Sequence, residues 1–101
     1  MFFPVLLQIL NMNEQSPFDG LKHKLEQEEW PSTYMFKFIM PNDNESISKL
    51  LNIFGTANKQ QLHNSRKGNY VSITIEELMM SAEDVIDKYE KAAQLKGVIS
   101  L

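Results

Sequence analysis

The chain has no cysteine, one tryptophan, two histidines, four glycines and four prolines in 101 residues. Without thiols there is no disulfide framework, no thiol nucleophile and no zinc or iron–sulfur site built on cysteine. His23 and His63 stand 40 positions apart and leave little for a metal centre. Long hydrophobic runs are also missing. The most apolar stretch, residues 1–10, is too short for a bilayer core that needs about 20 residues. It lacks the marks of a secretory signal as well, since the first basic residue is Lys22 and no alanine precedes Ala57. The stretch reads as a docking strand or as translation from a codon upstream of Met12.

A surplus of positive charge is absent too. Ten basic side chains face 13 acidic ones, a net charge of −3. All of that excess lies in residues 1–30, where Lys22 and Lys24 stand against five acids; residues 31–101 hold eight of each sign. Phosphate neutralisation supplies most non-specific affinity for nucleic acid, so a chain without a basic surplus argues against that partner. What is present is enough apolar material for one core: 43% of residues are hydrophobic. A chain of this length buries about 65% of its unfolded surface in a single domain.

Residues 18–30 place Leu21 and Leu25 four apart and stop at Pro31, which predicts a short helix over 20–29. Residues 1–30 are accordingly expected to form a partly mobile extension, and 31–101 the domain. Residues 33–40 alternate, with Tyr34, Phe36, Phe38 and Met40 on one parity and Met35, Lys37 and Ile39 on the other, the pattern of a strand. Asn42 and Glu45 have capping-box spacing. Ile47, Leu50, Leu51 and Phe54 share one helical face, and Gly55 stands where a left-handed C-terminal residue is expected. Residues 59–65 read as a polar edge strand, and 66–69 as a turn whose Gly68 and Asn69 tolerate positive φ. In residues 70–78, Val71, Ile73 and Ile75 oppose Tyr70, Ser72 and Thr74, an antiparallel strand with one open face. Ser81 and Asp84 have helix-start spacing, and Ala82, Val85, Ile86, Tyr89 and Ala93 form the stripe that follows. Gly97 then leads into a short strand over 98–101. The order βαββαβ predicts a ferredoxin-like α+β domain, a four-stranded antiparallel sheet with two helices on one face.

The hairpin Ser65-Arg66-Lys67-Gly68-Asn69-Tyr70, running into Val71-Ser72-Ile73-Thr74-Ile75, resembles that of the YbeD-like family of uncharacterised bacterial proteins. Trp30-Pro31 before a Phe-Lys-Phe strand, and the terminal Gly97-Val98-Ile99-Ser100-Leu101, fit the same pattern over residues 27–101. The resemblance implies a fold similar to ACT-type regulatory domains, which bind small ligands, commonly amino acids, at dimer interfaces. It supplies no catalytic residues. Some members are encoded beside lipoate-attachment enzymes, which points to a pathway without naming a partner.

The chemistry-bearing residues mostly have plain roles. His63 and Ser65 lie two apart with no orienting acid, so a solvated edge histidine is expected rather than a catalytic base. Glu76, Glu77, Glu83, Asp84, Asp87 and Glu90 read as caps and a solvated helix face, and Asn44-Glu45-Ser46 as a helix start. The six methionines, Met79 and Met80 among them, read as core filler. Two candidate sites remain. Ser65, Arg66, Lys67, Gly68 and Asn69 form a turn able to cradle an anion. Met35, Lys37, Tyr70, Ser72 and Thr74 make an open sheet face suited to an interface. With Tyr70 its one aromatic, that face lacks the paired platform of RNA-binding relatives of the fold.

These readings converge on a cytoplasmic, non-enzymatic regulatory or small-ligand-binding module without metal, cofactor, membrane or nucleic-acid partner. Its ligand pocket is expected where the first helix meets the sheet or at a dimer interface, with a weak homodimer through the open face. The alternatives are a protein-interaction adaptor using that face and an RNA-binding domain.

Overall fold

The computed structural model describes residues 17–101; the readings made for residues 1–10 and for Met12 lie outside the described residues. The elements are α1 (Asp19–Leu25), β1 (Ser32–Pro41), α2 (Asn44–Leu51), β2 (Lys59–Asn64), β3 (Tyr70–Met79), α3 (Ala82–Ala93) and β4 (Ile99–Ser100). The sheet runs β2-β3-β1-β4 with antiparallel neighbours throughout. With α2 and α3 covering one face, this is the ferredoxin-like α+β arrangement. No helix among the described residues is long and apolar enough to cross a membrane.

β1 and β3 pair over ten positions, from Ser32 opposite Met79 to Pro41 opposite Tyr70. Because side chains alternate across a strand, this register gathers Phe36, Phe38 and Met40 with Val71, Ile73 and Ile75 on the helix side, all buried. α2 supplies Leu50, with Phe54 following it, and α3 supplies Val85, Ile86 and Tyr89. α1 packs alongside α3, where Leu25 enters the same core and Phe18 and Leu21 lie against it. Gly97 is held at φ 80°, and a Cβ there would sit 3.1 Å from the Pro41 ring, so both conformation and space demand glycine.

Several local expectations are corrected. The cap of α2 is Asp43, not an Asn42–Glu45 box: its carboxylate accepts from the Ser46 amide at 3.1 Å and the Ser46 hydroxyl at 2.7 Å. Those bonds hold the Asp43 carboxyl below its ordinary range. Asn42 instead reaches across to the β2–β3 turn, donating to the Gly68 carbonyl at 3.0 Å. Gly55 is not a left-handed cap, since α2 closes at Asn52 in right-handed geometry. The Gly55 amide donates to Glu77 Oε1 at 2.9 Å, which Asn58 also bonds at 2.8 Å, so Glu77 secures the loop before β2.

Leu50, rather than Leu51, is the fully buried residue of α2, because the helix rolls Leu51 to the flank of the sheet. At the end of α3 Ala92 is buried and Ala93 faces solvent, while Ala82 is buried at its start as the stripe predicts. The methionines divide, with Met40 and Met79 in the core and Met35 and Met80 exposed. The first helix ends at Leu25, short of Trp30, whose indole N–H returns to the Leu25 carbonyl at 2.8 Å. The predicted start of α3 holds: Ser81 Oγ accepts from the Asp84 amide, and Asp84 accepts from the Met80 amide.

Candidate functional site

The register of β1 and β3 decides what the open face contains. Lys37 lies opposite Thr74, Ile39 opposite Ser72, Met35 opposite Glu76 and Pro41 opposite Tyr70. The five residues named from the sequence therefore share one surface. β2 adds Lys59, Gln61 and His63 beside Glu76, Thr74 and Ser72, and β4 adds Ile99 beside Ile39. The face is divided. Its β2–β3 half is polar, while Met35, Ile39, Ile99 and Leu101 make the β1–β4 half apolar, and Met35, Ile99 and Leu101 are 57%, 55% and 62% exposed. Ile39 was legible from its parity. The contribution of Ile99 and Leu101 appears only once β4 pairs beside β1.

The turn named as an anion cradle spends most of its backbone internally. The Gly68 amide donates to the Ser65 carbonyl at 2.9 Å, and the Ser65 amide donates to the Tyr70 carbonyl at 2.8 Å. The Ser65 hydroxyl accepts from the Tyr70 amide at 3.1 Å, and the Asn69 carbonyl accepts from the Asn42 amide at 3.0 Å. Gly68 takes φ 79°, the left-handed conformation the turn needs. Arg66 and Lys67 are left at the tip, exposed, and neither makes an ion pair with another described residue.

A third feature was not anticipated. Phe18 and Leu21 of the α1 region, Tyr34, Tyr89, Ser100 and Leu101 line a cleft of about 280 Å³ between α1, α3 and the β1–β4 side of the sheet. The hydroxyls of Tyr34 and Tyr89 are hydrogen-bonded at 3.0 Å, their rings are perpendicular, and Phe18 stacks on Tyr89 with centroids 5.9 Å apart. Burial, and secondarily the bond to Tyr34, push the Tyr89 phenol well above its ordinary range, so it stays protonated. Of the two phenolic protons one bridges the pair. Neither hydroxyl makes a second hydrogen bond to another described residue, so the other proton is not used within the pair. The sequence marked Tyr34 and Tyr89 only as members of apolar stripes; their meeting, 55 positions apart, is a tertiary event.

Among the described residues no three His, Asp or Glu side chains are placed to hold a metal ion. His63 is exposed on β2, across the strand pair from Ser72. Asp84 pairs with Lys88 at 3.5 Å and Asp87 with Lys91 at 3.1 Å, which accounts for the acids of α3 at its inner turns. Neither the curated proteins nor the solved structures contain a match to the chain. One family does match, from Glu26 to the last residue and so across the whole sheet and both covering helices: the chain belongs to the uncharacterised family described as "Protein of unknown function (DUF493)", over residues 26–101.

Proposed function

We propose that this domain is a cytoplasmic, non-enzymatic binding module that takes one small molecule, with an apolar body and a single hydrogen-bond acceptor, into the cleft at Tyr34 and Tyr89. The observation that carries this reading is the apolar cleft with a phenolic proton to spare at its wall. Pockets that bind small ligands are mostly apolar with few placed polar groups, and this cleft suits a ligand at the small end of their range. The YbeD-like and ACT-type resemblance of the hairpin and strands supports a regulatory role for such binding. Short to medium aliphatic carboxylic acids have the required shape.

Thermal-shift titration of the full chain with these acids tests the reading. A binder is expected to raise the melting temperature, and above its Kd to go on raising it with the logarithm of its concentration. Replacing Tyr34 and Tyr89 together by phenylalanine should weaken that binder by about tenfold, through loss of one hydrogen bond of about 1.4 kcal/mol, while leaving the protein folded, because both partners of the hydroxyl pair go at once. No shift with any of these acids, or equal shifts in both proteins, rejects the cleft as the site.

The apolar half of the open face favours a second reading, in which the module works as a weak homodimer. Met35, Ile99 and Leu101 are more exposed than a solvated face requires, and Lys37 beside them keeps the free protein dispersed. Sedimentation over a concentration series should show dimer at high micromolar protein, and Met35→Glu should return it to monomer. A wild type that stays monomeric rejects this second reading.

A further inference from the structure

The outer edge of the sheet at β2 combines two features that the cleft does not use. All six residues of Lys59–Asn64 are exposed, and no other described strand pairs with their outer side. The hydrogen bond from the Ser65 amide to the Tyr70 carbonyl sets the phase of the ladder. In an antiparallel pair the bonded positions alternate, so His63, Gln61 and Lys59 exchange bonds with β3. Gln60, Leu62 and Asn64 consequently aim their backbone N–H and C=O groups outward.

The second feature is charge. From residue 46 to residue 75 the chain contains no acid, yet it holds Lys49, Lys59, His63, Arg66 and Lys67. Lys49 is paired with Glu45 at 3.4 Å on α2. Lys59, Arg66 and Lys67, on the edge and its turn, make no ion pair with any described residue. Elsewhere Lys22, Lys88 and Lys91 each have a carboxylate within 4.0 Å. Lys24, Lys37 and Lys96 also make no ion pair with a described residue, so what sets the edge apart is three unpaired cations within a stretch of chain that holds no acid.

The two faces of β2 also differ. Lys59 and His63 point to the open face, and Leu62 points to the helix side, where it lies opposite the buried Ile73. α2 packs over β1, and α3 over β3 and β4, so Leu62 stays 44% exposed. A strand laid on this edge would meet Lys59 on one face and an apolar side chain on the other, with Arg66 and Lys67 at the adjoining turn. We infer that β2 is a docking edge for an extended acidic segment of another protein, one that alternates carboxylates with apolar residues and adds to the sheet as a fifth strand. A second copy of this chain fits badly there, because two-fold self-pairing brings two acid-free edges together and turns the basic turn of each toward the Lys59 end of the other. Backbone bonds would give such a complex its affinity, and the alternating side chains its selectivity.

Fluorescence anisotropy with a fluorescein-labelled peptide of alternating glutamate and valine tests the inference on the full chain. The peptide should bind in a salt-sensitive manner, slow amide exchange at Gln60, Leu62 and Asn64, and lose about tenfold in affinity when Arg66 and Lys67 are both replaced by glutamate. Leu62→Pro removes an outward N–H without breaking a bond to β3, since proline is tolerated on the solvent side of an edge strand, and it should abolish binding. The Arg66→Glu, Lys67→Glu double variant lies at an exposed turn and reports on the same edge even if Leu62→Pro does not fold. Binding that survives Leu62→Pro, or unchanged amide exchange, overturns strand addition. Equal binding of a lysine–valine peptide, or binding of a single-stranded oligonucleotide in place of the glutamate peptide, overturns the assigned partner. No binding at all means that the cations serve only to keep the edge unpaired.

Discussion

Phe36→Ala is expected to lower the unfolding free energy by about 3–5 kcal/mol, measured by urea denaturation at neutral pH. Phe36 has no exposed surface, and its ring is the hub of the aromatic core. It lies 4.7 Å from the Tyr34 centroid, 4.9 Å from Phe54 and 5.2 Å from Tyr89, all edge-on, and stacks on Phe38 at 6.2 Å. Truncation would leave a cavity bounded by β1, α3 and the segment after α2, whose paired backbones cannot easily close around it. A domain of this size has roughly 5–15 kcal/mol of stability in total, so the variant should be partly unfolded on warming. A loss below about 1 kcal/mol would mean that the site collapses freely and that the core is not organised around this ring.

Leu50→Ala should cost about 2–5 kcal/mol in the same measurement, and Leu51→Ala clearly less. Both leucines lie on the apolar side of α2, and the sequence alone ranks them equally. Leu50 is fully enclosed against the sheet, whereas Leu51 is partly exposed at its flank, so fewer contacts and less apolar area are lost from Leu51. Equal losses would show that α2 sits on the sheet with a different rotation about its axis. That rotation also places Phe54 against Phe36, which links the two experiments.

The alternation in β1 and β3 determined their buried faces without reference to anything distant. A strand's side-chain period is two, and Phe36, Phe38, Met40, Val71, Ile73 and Ile75 can share one side in only one way. The βαββαβ order followed from the periods, from Gly68 and Gly97 at the turns, and from Ser81 with Asp84 at the start of α3. The open-face residues Met35, Lys37, Tyr70, Ser72 and Thr74 were legible for the same reason, as the complement of the buried set.

Tertiary structure alone decided the rest. A helix of period 3.6 leaves its rotation on the sheet undetermined by a residue or so, which is why Leu50 displaced Leu51 and Ala92 displaced Ala93. Caps compete locally, and Asp43 prevailed because Asn42 is drawn to the carbonyl of Gly68, a residue 26 positions away that no local pattern reveals. The Tyr34–Tyr89 hydroxyl pair, the cleft beside it and the apolar half formed with Ile99 and Leu101 all depend on which strands become neighbours. Periodicity states which side of an element faces inward. Only strand order and helix rotation state what it meets there.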